Sequence, residues 1–185
     1  PDDIASTRAG NVIGGGDWAA DRIVPDAVKA WSQGTAVTLR NPMATRPWQH
    51  VLEPLGGYLL LGSRLLADNN DGIAGEAFNF GPDARVNQPV ESLIRAIAAC
   101  WEPAAAKLVA GEQDGAGKES TLLKLCCDKA LHRLGWHAVL SFEETARLTA
   151  EWYNAYYGVG TTAAAVRTNE QIDAYMVKLT EEGIA

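Results

Sequence analysis

The chain has 185 residues, of which 47% are hydrophobic and 21% are charged. This balance excludes a disordered, fibrous or collagen-like chain, and the length suits one domain, or a domain with an appendage, around a substantial core. The 16 Lys and Arg against 23 Asp and Glu give a formal net charge of −7. An acidic excess argues against a nucleic-acid partner, but it still allows a local group of arginines to bind a small anion.

Cysteine usage and hydropathy indicate a cytoplasmic protein. Cys126 and Cys127 are adjacent, Cys100 stands alone, and no C-x-x-C pair is present, so we predict reduced core thiols and no metal site. The longest strongly apolar stretch, residues 58–61, is too short to span a bilayer, so we expect no membrane partner. Because the chain starts without Met and just before an apolar strand, we expect a fragment of a longer protein.

The first half of the chain predicts alternating strands and helices. Residues 4–13 are interpreted as one buried strand that runs into a Gly-rich turn, and Asp21 as the cap of a helix that Gly34 ends. Short strands are predicted at 37–40 and 48–51. The helix after them is predicted to bury an apolar stripe made of Leu52, Leu55, Tyr58, Leu59, Gly62, Leu65 and Leu66.

The second half continues the alternation. Strands are predicted at 77–80, 107–110 and 122–125, with a helix near 90–101 after the first of them and a short helix at 128–135 after the last. Ser141 and Glu144 have the spacing of a capping box at the start of a further helix. The tail could hold one more helix whose apolar face is Ile172, Tyr175, Met176 and Leu179. This order predicts an α/β architecture with some parallel pairing.

Two segments could carry chemistry. Residues 8–18, Arg-Ala-Gly-Asn-Val-Ile-Gly-Gly-Gly-Asp-Trp, end a strand in a loop whose backbone N–H groups could meet an anion or a sugar, although a plain flexible turn is an alternative. Residues 40–51 place Arg40 and Arg46 on either side of a loop, and guanidinium groups suit phosphate oxygens, although a surface arginine pair is equally possible. His50, within a strand, is more often a structural histidine than a catalytic one.

From the residues alone, we predict an α/β module with an arginine-lined, glycine-bordered pocket for an anionic small molecule. Residues 119–129 show nothing locally beyond a strand that enters a capped helix. His132 and His137 lie five residues apart with Gly135 between them, so they do not share a helix face and do not suggest a metal site.

The same segments resemble the extended short-chain dehydrogenase/reductases that act on nucleotide sugars, and most closely the CDP-glucose 4,6-dehydratase family. The resemblance rests on Gly-Gly-Gly-Asp-Trp at 14–18, Arg-Pro-Trp-Gln-His at 46–50 and the generic Leu-Gly-Trp at 134–136. It runs from about residue 4 to about residue 157. It implies the last Rossmann-sheet strands plus a small α/β substrate-binding domain at 1–157, followed by a helical tail at 158–185.

The resemblance also implies a chemistry: a redox-neutral elimination that uses bound NAD to convert CDP-glucose to CDP-4-keto-6-deoxyglucose, a precursor of deoxysugars in bacterial surface polysaccharide. It further implies a cytoplasmic homodimer in the full-length protein. The family's G-x-x-G-x-x-G fingerprint and its Tyr-x-x-x-Lys pair are absent from these 185 residues. In family order both precede residue 1, so we expect the chain alone to catalyse nothing and to contain no catalytic residue.

Carried over residue by residue, the resemblance implies a binding site. Ala9 and Gly10 match backbone positions near the nicotinamide, and Asn11 matches an asparagine near the substrate diphosphate. Arg46 matches a diphosphate-clamping arginine. The remaining substrate-binding positions are Arg22 and Ile23 beside the nucleotide, Thr38, Leu39 and Arg40 beside the base, and Glu119, which aligns weakly.

Two alternatives remain open at this point. One is another nucleotide-sugar dehydratase or epimerase on the same fold, acting on a dTDP- or UDP-sugar. The other is a non-catalytic sugar-nucleotide-binding module descended from such enzymes.

Overall fold

A computed structural model describes residues 4–67, 72–83, 86–101, 108–110 and 124–184 of the chain. The strands in chain order are β1 Ser6–Ala9, β2 Asn11–Ile13, β3 Val37–Leu39, β4 Thr45–His50, β5 Ala77–Phe80, β6 Asn87–Pro89 and β7 Leu108–Ala110. The helices are α1 Ile23–Ser32, α2 Leu52–Leu65, α3 Val90–Ala99, α4 Asp128–Leu134, α5 Phe142–Gly158 and α6 Thr161–Glu181. The predicted α/β class is confirmed.

The described strands form three small sheets with mostly parallel pairing. β1 pairs with β5, β2 with β4, and β3 with β7, all in parallel, while β6 runs antiparallel to β4. Parallel neighbours require a crossover connection. In chain order α1 lies between β2 and its partner β4, and both α1 and α2 lie between β1 and its partner β5. The register places Asn11 opposite Trp48 and Arg46 opposite Gln88.

The prediction of one buried strand over residues 4–13 is wrong. The chain leaves the β1–β5 sheet at Gly10 and joins the β2–β4–β6 sheet at Asn11. Gly10 allows this because a Cβ there would lie 2.8 Å from the Pro47 carbonyl oxygen. Most of β1 is exposed, since β5 is its single strand partner within the described part of the chain.

Two hydrophobic clusters hold these elements together. The first joins α1, α3 and α5 to β2, β3 and β4, with Val28, Leu93, Ile94 and Tyr153 fully buried. The second lies under α2 and α4, where Phe80 packs edge-to-face on Trp136 with ring centroids 4.8 Å apart. Burial of these large apolar side chains is the main contribution to stability.

The predicted apolar stripe of α2 is also wrong. Leu55, Leu59 and Leu66 are 47%, 76% and 81% exposed, whereas Glu53, Pro54, Gly57 and Leu61 are buried. Close contact with β5 decides the rotation of the helix, because Gly57 lies directly against the Phe80 ring. The helix therefore turns Gly57 toward β5 and exposes several leucines.

Three smaller expectations also need correction. Arg22, not Asp21, is the N-cap of α1, and Asp21 adopts a left-handed backbone with φ 61°. The tail forms helix α6 as predicted, but it buries Gln171, Tyr175 and Leu179 while Ile172 and Met176 are largely exposed. Cys126 is exposed rather than a core thiol.

Several predictions are confirmed. α3 buries the predicted face, α1 ends at Gly34 with φ 69°, and β5 and β7 lie where strands are predicted. The capping box is present, since Ser141 Oγ accepts from the Glu144 N–H and a Glu144 carboxylate oxygen accepts from the Ser141 N–H. The strand predicted at 122–125 falls partly outside the described residues, and Lys124 and Leu125 are irregular. Within the described ranges, no helix is long and apolar enough to cross a membrane.

Candidate nucleotide-sugar cleft

A cleft of about 620 Å³ opens between the start of α1, β2 and the loop that joins β3 to β4. Its polar lining is Asn11, Asp17, Asp21, Arg22, Asp26, Thr38, Arg40, Asn41 and Arg46. Its apolar floor includes Ile13 and Trp48, and the Trp48 indole is fixed by an Nε1–H that donates to the Gln88 carbonyl oxygen at 3.0 Å. A concave site with an apolar floor and a few charged groups is typical of small-ligand binding.

Three arginines reach this cleft from three different segments. Arg22 precedes α1, Arg40 follows β3, and Arg46 lies within β4. Arg46 is only 8% exposed, and its Nη1 donates to the Thr45 carbonyl oxygen at 2.9 Å. Guanidinium groups that line one cleft suit an anion with several oxygens, such as a diphosphate.

Two aspartates balance two of these arginines. An Asp17 carboxylate oxygen lies 4.0 Å from Arg22 Nη1, and an Asp21 carboxylate oxygen lies 3.5 Å from Arg40 Nη2. The Asp21–Arg40 pair is largely exposed and the Asp17–Arg22 pair is partly exposed, so each contributes little to stability.

The N-terminus of α1 adds a further positive group. Ile23, Val24 and Pro25 of its first turn line the cleft, and no side chain caps this end of the helix. The partial positive charge of a helix N-terminus attracts anions. The helix end favours the same kind of ligand as the arginines, while Asp26 in its first turn also lines the cleft and offsets part of the positive charge.

Most of the site residues predicted from the sequence meet at this cleft. The residues that line it are Gly10, Asn11, Arg22, Ile23, Thr38, Arg40 and Arg46. Ala9 lies in β1 outside the lining, and Leu39 is 3% exposed and packs in the first hydrophobic cluster, because alternate residues of a strand face opposite sides. Glu119 lies outside the described residues.

Sequence reasoning missed the roles of Asp17 and Asp21. Their partners come from a loop and from the end of another strand, and no local spacing indicates such pairs. One indication of a role for Asp17 was present in the sequence, because this residue lies within the Gly-rich motif at residues 14–18.

His50 and Glu53, on either side of Val51 and Leu52, are both buried. His50 is 2% exposed, its Nδ1 accepts from the Leu52 N–H at 3.4 Å, and burial lowers its pKa to about 4. It is therefore neutral at pH 7, which agrees with the structural role that the sequence favoured. Glu53 is 1% exposed, and burial raises its pKa despite hydrogen bonds from Leu140, Tyr175 and Val139 that lower it.

A second cavity of about 600 Å³ lies at the carboxyl end of β5, beside Gly81, Cys126, Cys127 and His137. Cys127 Sγ donates to the Gly81 carbonyl oxygen at 3.7 Å, and burial raises the pKa of this thiol. A raised pKa makes a thiol less reactive. Among the described residues, no group of three His, Cys, Asp or Glu could hold a metal ion.

Comparison with solved structures identifies the fold. The chain superposes on dTDP-glucose 4,6-dehydratase from Bacillus anthracis in complex with NAD, with a TM-score of 0.65 and 17% identity, over 82% of this chain and 44% of that one. It matches UDP-glucose-4-epimerase from Stenotrophomonas maltophila, with bound NAD and formylated UDP-arabinopyranose, with a TM-score of 0.65 and 17% identity, over 82% and 47% of the two chains. No known family profile matches the sequence.

The fold is that of the C-terminal portion of the extended short-chain dehydrogenase/reductases, the class that includes nucleotide-sugar dehydratases and epimerases. Within that class, the sequence is 41% identical over 153 residues to CDP-glucose 4,6-dehydratase from Salmonella typhimurium. The match covers 83% of this chain but 42% of that enzyme. The resemblance recognised in the sequence is therefore confirmed: the chain is similar to the C-terminal part of that dehydratase.

Proposed function

We propose that this chain is the nucleotide-sugar-binding part of an NAD-dependent CDP-glucose 4,6-dehydratase. In the longer polypeptide the reaction converts CDP-glucose to CDP-4-keto-6-deoxyglucose, for deoxysugar and O-antigen biosynthesis, in a cytoplasmic homodimer. The 185-residue chain by itself binds the nucleotide sugar and does not catalyse the reaction.

The observation that carries this proposal is that three arginines and the α1 N-terminus line one cleft. A nucleoside diphosphate sugar carries its negative charge on two adjacent phosphoryl groups, so several donors must meet within a short distance. The 41% identity to an enzyme named for CDP-glucose favours cytidine as the base.

Each lining residue has a role in the proposal. Arg46, held by strand β4 and nearly buried, binds the diphosphate together with Asn11, which lies near it on the paired strand β2. Arg22 and Ile23 flank the nucleotide at the α1 N-terminus. Thr38 and Arg40 border the base, and the side chain of Leu39 supports that strand from the core.

The residues present fit only one edge of an NAD site. Ala9 and Phe80 are paired at the carboxyl ends of the parallel strands β1 and β5, where ligands of open α/β sheets bind, and Gly10 follows directly. Ala9 and Gly10 therefore border the cofactor, while its principal contacts come from the fingerprint and the Tyr-x-x-x-Lys pair that these 185 residues lack. NAD, when bound, accepts and returns a hydride. The part played by this chain is to orient the sugar by its diphosphate so that the reacting carbon is held in place.

Calorimetric titration of the 185-residue chain with CDP, UDP and dTDP tests the proposal. We expect CDP to bind more tightly than the other two. A clear preference for dTDP or UDP would replace the assignment by another nucleotide-sugar dehydratase or epimerase, and no binding of any of the three would refute the proposed binding function.

The coding sequence upstream of Pro1 tests the enzymatic part. We expect it to encode a Gly-rich fingerprint and a Tyr-x-x-x-Lys pair. We also expect the longer polypeptide to convert CDP-glucose to the 4-keto-6-deoxy product, which NMR of the reaction mixture would detect. Absence of both motifs would instead favour a non-catalytic binding module.

A further inference from the structure

An aromatic cluster covers the outside of the Gly-rich loop at residues 14–18. Its members are Trp18 on the loop and Trp152, Tyr153, Tyr156 and Tyr157 on α5. The Trp18 and Tyr156 ring centroids are 4.8 Å apart, and Trp152 stacks on Tyr156 at an interplanar angle of 7°. Ring contacts at these distances favour one position of the loop.

The loop lies directly against the Trp152 indole. A Cβ on Gly15 would lie 2.0 Å from Trp152 Cδ2 and Cγ, and Gly16 adopts φ 79° beside the same ring. These two glycines therefore serve close approach to the ring and a left-handed turn. The Tyr153 hydroxyl donates to the Asp17 carbonyl oxygen at 2.7 Å and holds the end of the loop.

The last helix orients Trp152 from the other side. Trp152 Nε1–H donates to Thr168 Oγ1 at 2.8 Å, and Thr168 is on α6. α6 is itself held on α5 by Gln171, whose Nε2 donates to the Leu148 carbonyl oxygen at 2.8 Å. The indole therefore lies between the tail helix and the loop.

The loop reaches the cleft at Asp17, whose carboxylate lies 4.0 Å from Arg22 Nη1. Asp21, three residues beyond the loop, also lines the cleft and lies beside Arg40. A displacement of the loop would move Asp17 and the segment that leads to α1. The contact chain runs from α6 through Trp152 and the loop to the arginines.

We propose that Trp152 is a positioning residue that keeps the 14–18 loop in the arrangement required for nucleotide binding, with α6 holding its indole in place. This inference rests on the proposed function. Suppose that, without the Trp152 ring, only about a tenth of the molecules keep the loop in the binding arrangement. The apparent dissociation constant for the nucleotide then rises about tenfold, because only those molecules can bind it.

CDP titration of four variants of the 185-residue chain tests this. Trp152→Leu removes the flat ring and should weaken CDP binding about tenfold. Trp152→Phe keeps a ring and Thr168→Val keeps the indole, but both remove the same hydrogen bond, so each should weaken binding only about two- to threefold. Leu61→Ala, in the second hydrophobic cluster, should lower the melting temperature without changing the CDP dissociation constant.

The outcomes separate this inference from the proposed function. A folded Trp152→Leu chain that binds CDP within twofold of the unsubstituted chain overturns the positioning role, whereas the proposed function would stand if Arg46→Ala still loses affinity. If Trp152→Leu lacks a folded circular-dichroism spectrum, unchanged CDP binding by Thr168→Val overturns the inference. If the unsubstituted chain does not bind CDP, the proposed function and this inference both fail.

Discussion

The Tyr175 hydroxyl donates a hydrogen bond to Glu53 Oε2 at 2.9 Å, and the two residues are 122 positions apart in the chain. The other oxygen, Glu53 Oε1, accepts from the N–H groups of Val139 and Leu140 at 2.8 and 2.6 Å. One buried carboxylate thus joins α2, the segment before α5 and the tail helix α6. Such a carboxylate is tolerated because both of its oxygens have donors.

Removal of the Glu53 carboxylate should destabilise the protein strongly. Glu53→Ala leaves two backbone N–H groups and a hydroxyl without their acceptor, and we expect the free energy of unfolding to fall by about 3–5 kcal/mol in urea denaturation. Glu53→Gln is the matched control, since its amide oxygen can accept from both N–H groups and its amide nitrogen can face the tyrosine oxygen. A loss in Glu53→Ala no larger than in Glu53→Gln would contradict this account.

Stability should fall in mild acid because of His50. Burial lowers the His50 pKa from its ordinary value of 6.5 to about 4, so between these values the unfolded chain binds a proton that the folded chain does not. The contribution is complete above about pH 6.5 and is lost as the pH falls toward 4, by up to about 3 kcal/mol. We expect the free energy of unfolding of His50→Gln to depend less steeply on pH over this range.

The control for this measurement is Leu61→Ala, which lowers stability without removing a titratable group. It should keep the pH dependence of the unsubstituted chain. An equal slope in His50→Gln and the unsubstituted chain would show that other groups cause the acid sensitivity.

Two glycines of α2 should respond to alanine in opposite directions. A Cβ at Gly57 would lie 2.3 Å from the Phe80 ring, so Gly57→Ala forces helix and strand apart and should cost about 1–3 kcal/mol. Gly62 has open space around its Cβ position, and Gly62→Ala should stabilise the helix by about 0.5–1 kcal/mol. Thermal unfolding of both variants measures the difference, and a stable Gly57→Ala chain would argue against the observed rotation of α2.

Arg46 should dominate nucleotide affinity. Arg46→Ala removes a nearly buried guanidinium from the cleft, and we expect CDP binding to weaken by about 2–4 kcal/mol in calorimetry. Arg46→Lys keeps the charge but not the planar fork, and should recover only part of the affinity. Unchanged affinity in Arg46→Ala would show that this side chain does not contact the ligand.

Local patterns predicted the elements whose cause is local. The capping box of Ser141 and Glu144, the end of α1 at Gly34 and the buried face of α3 follow from hydrogen bonds and periodicity within a few residues. The rotation of α2 was not predictable in this way. Its leucines recur at helical spacing and so predict a buried face, but several of them lie on the exposed side. The contact of Gly57 with a strand 20 residues later decides which side is buried.

The amino-acid sequence by itself determined the alternation of strands and helices, the kinship with nucleotide-sugar enzymes and the residue types of the cleft, because motifs and hydrophobic periods are properties of neighbouring residues. Only the tertiary structure decided that the strand divides at Gly10, that Asp21 pairs with Arg40, and that Glu53 receives Tyr175. These depend on strand register and helix packing between distant segments, where small differences in close contact select one arrangement.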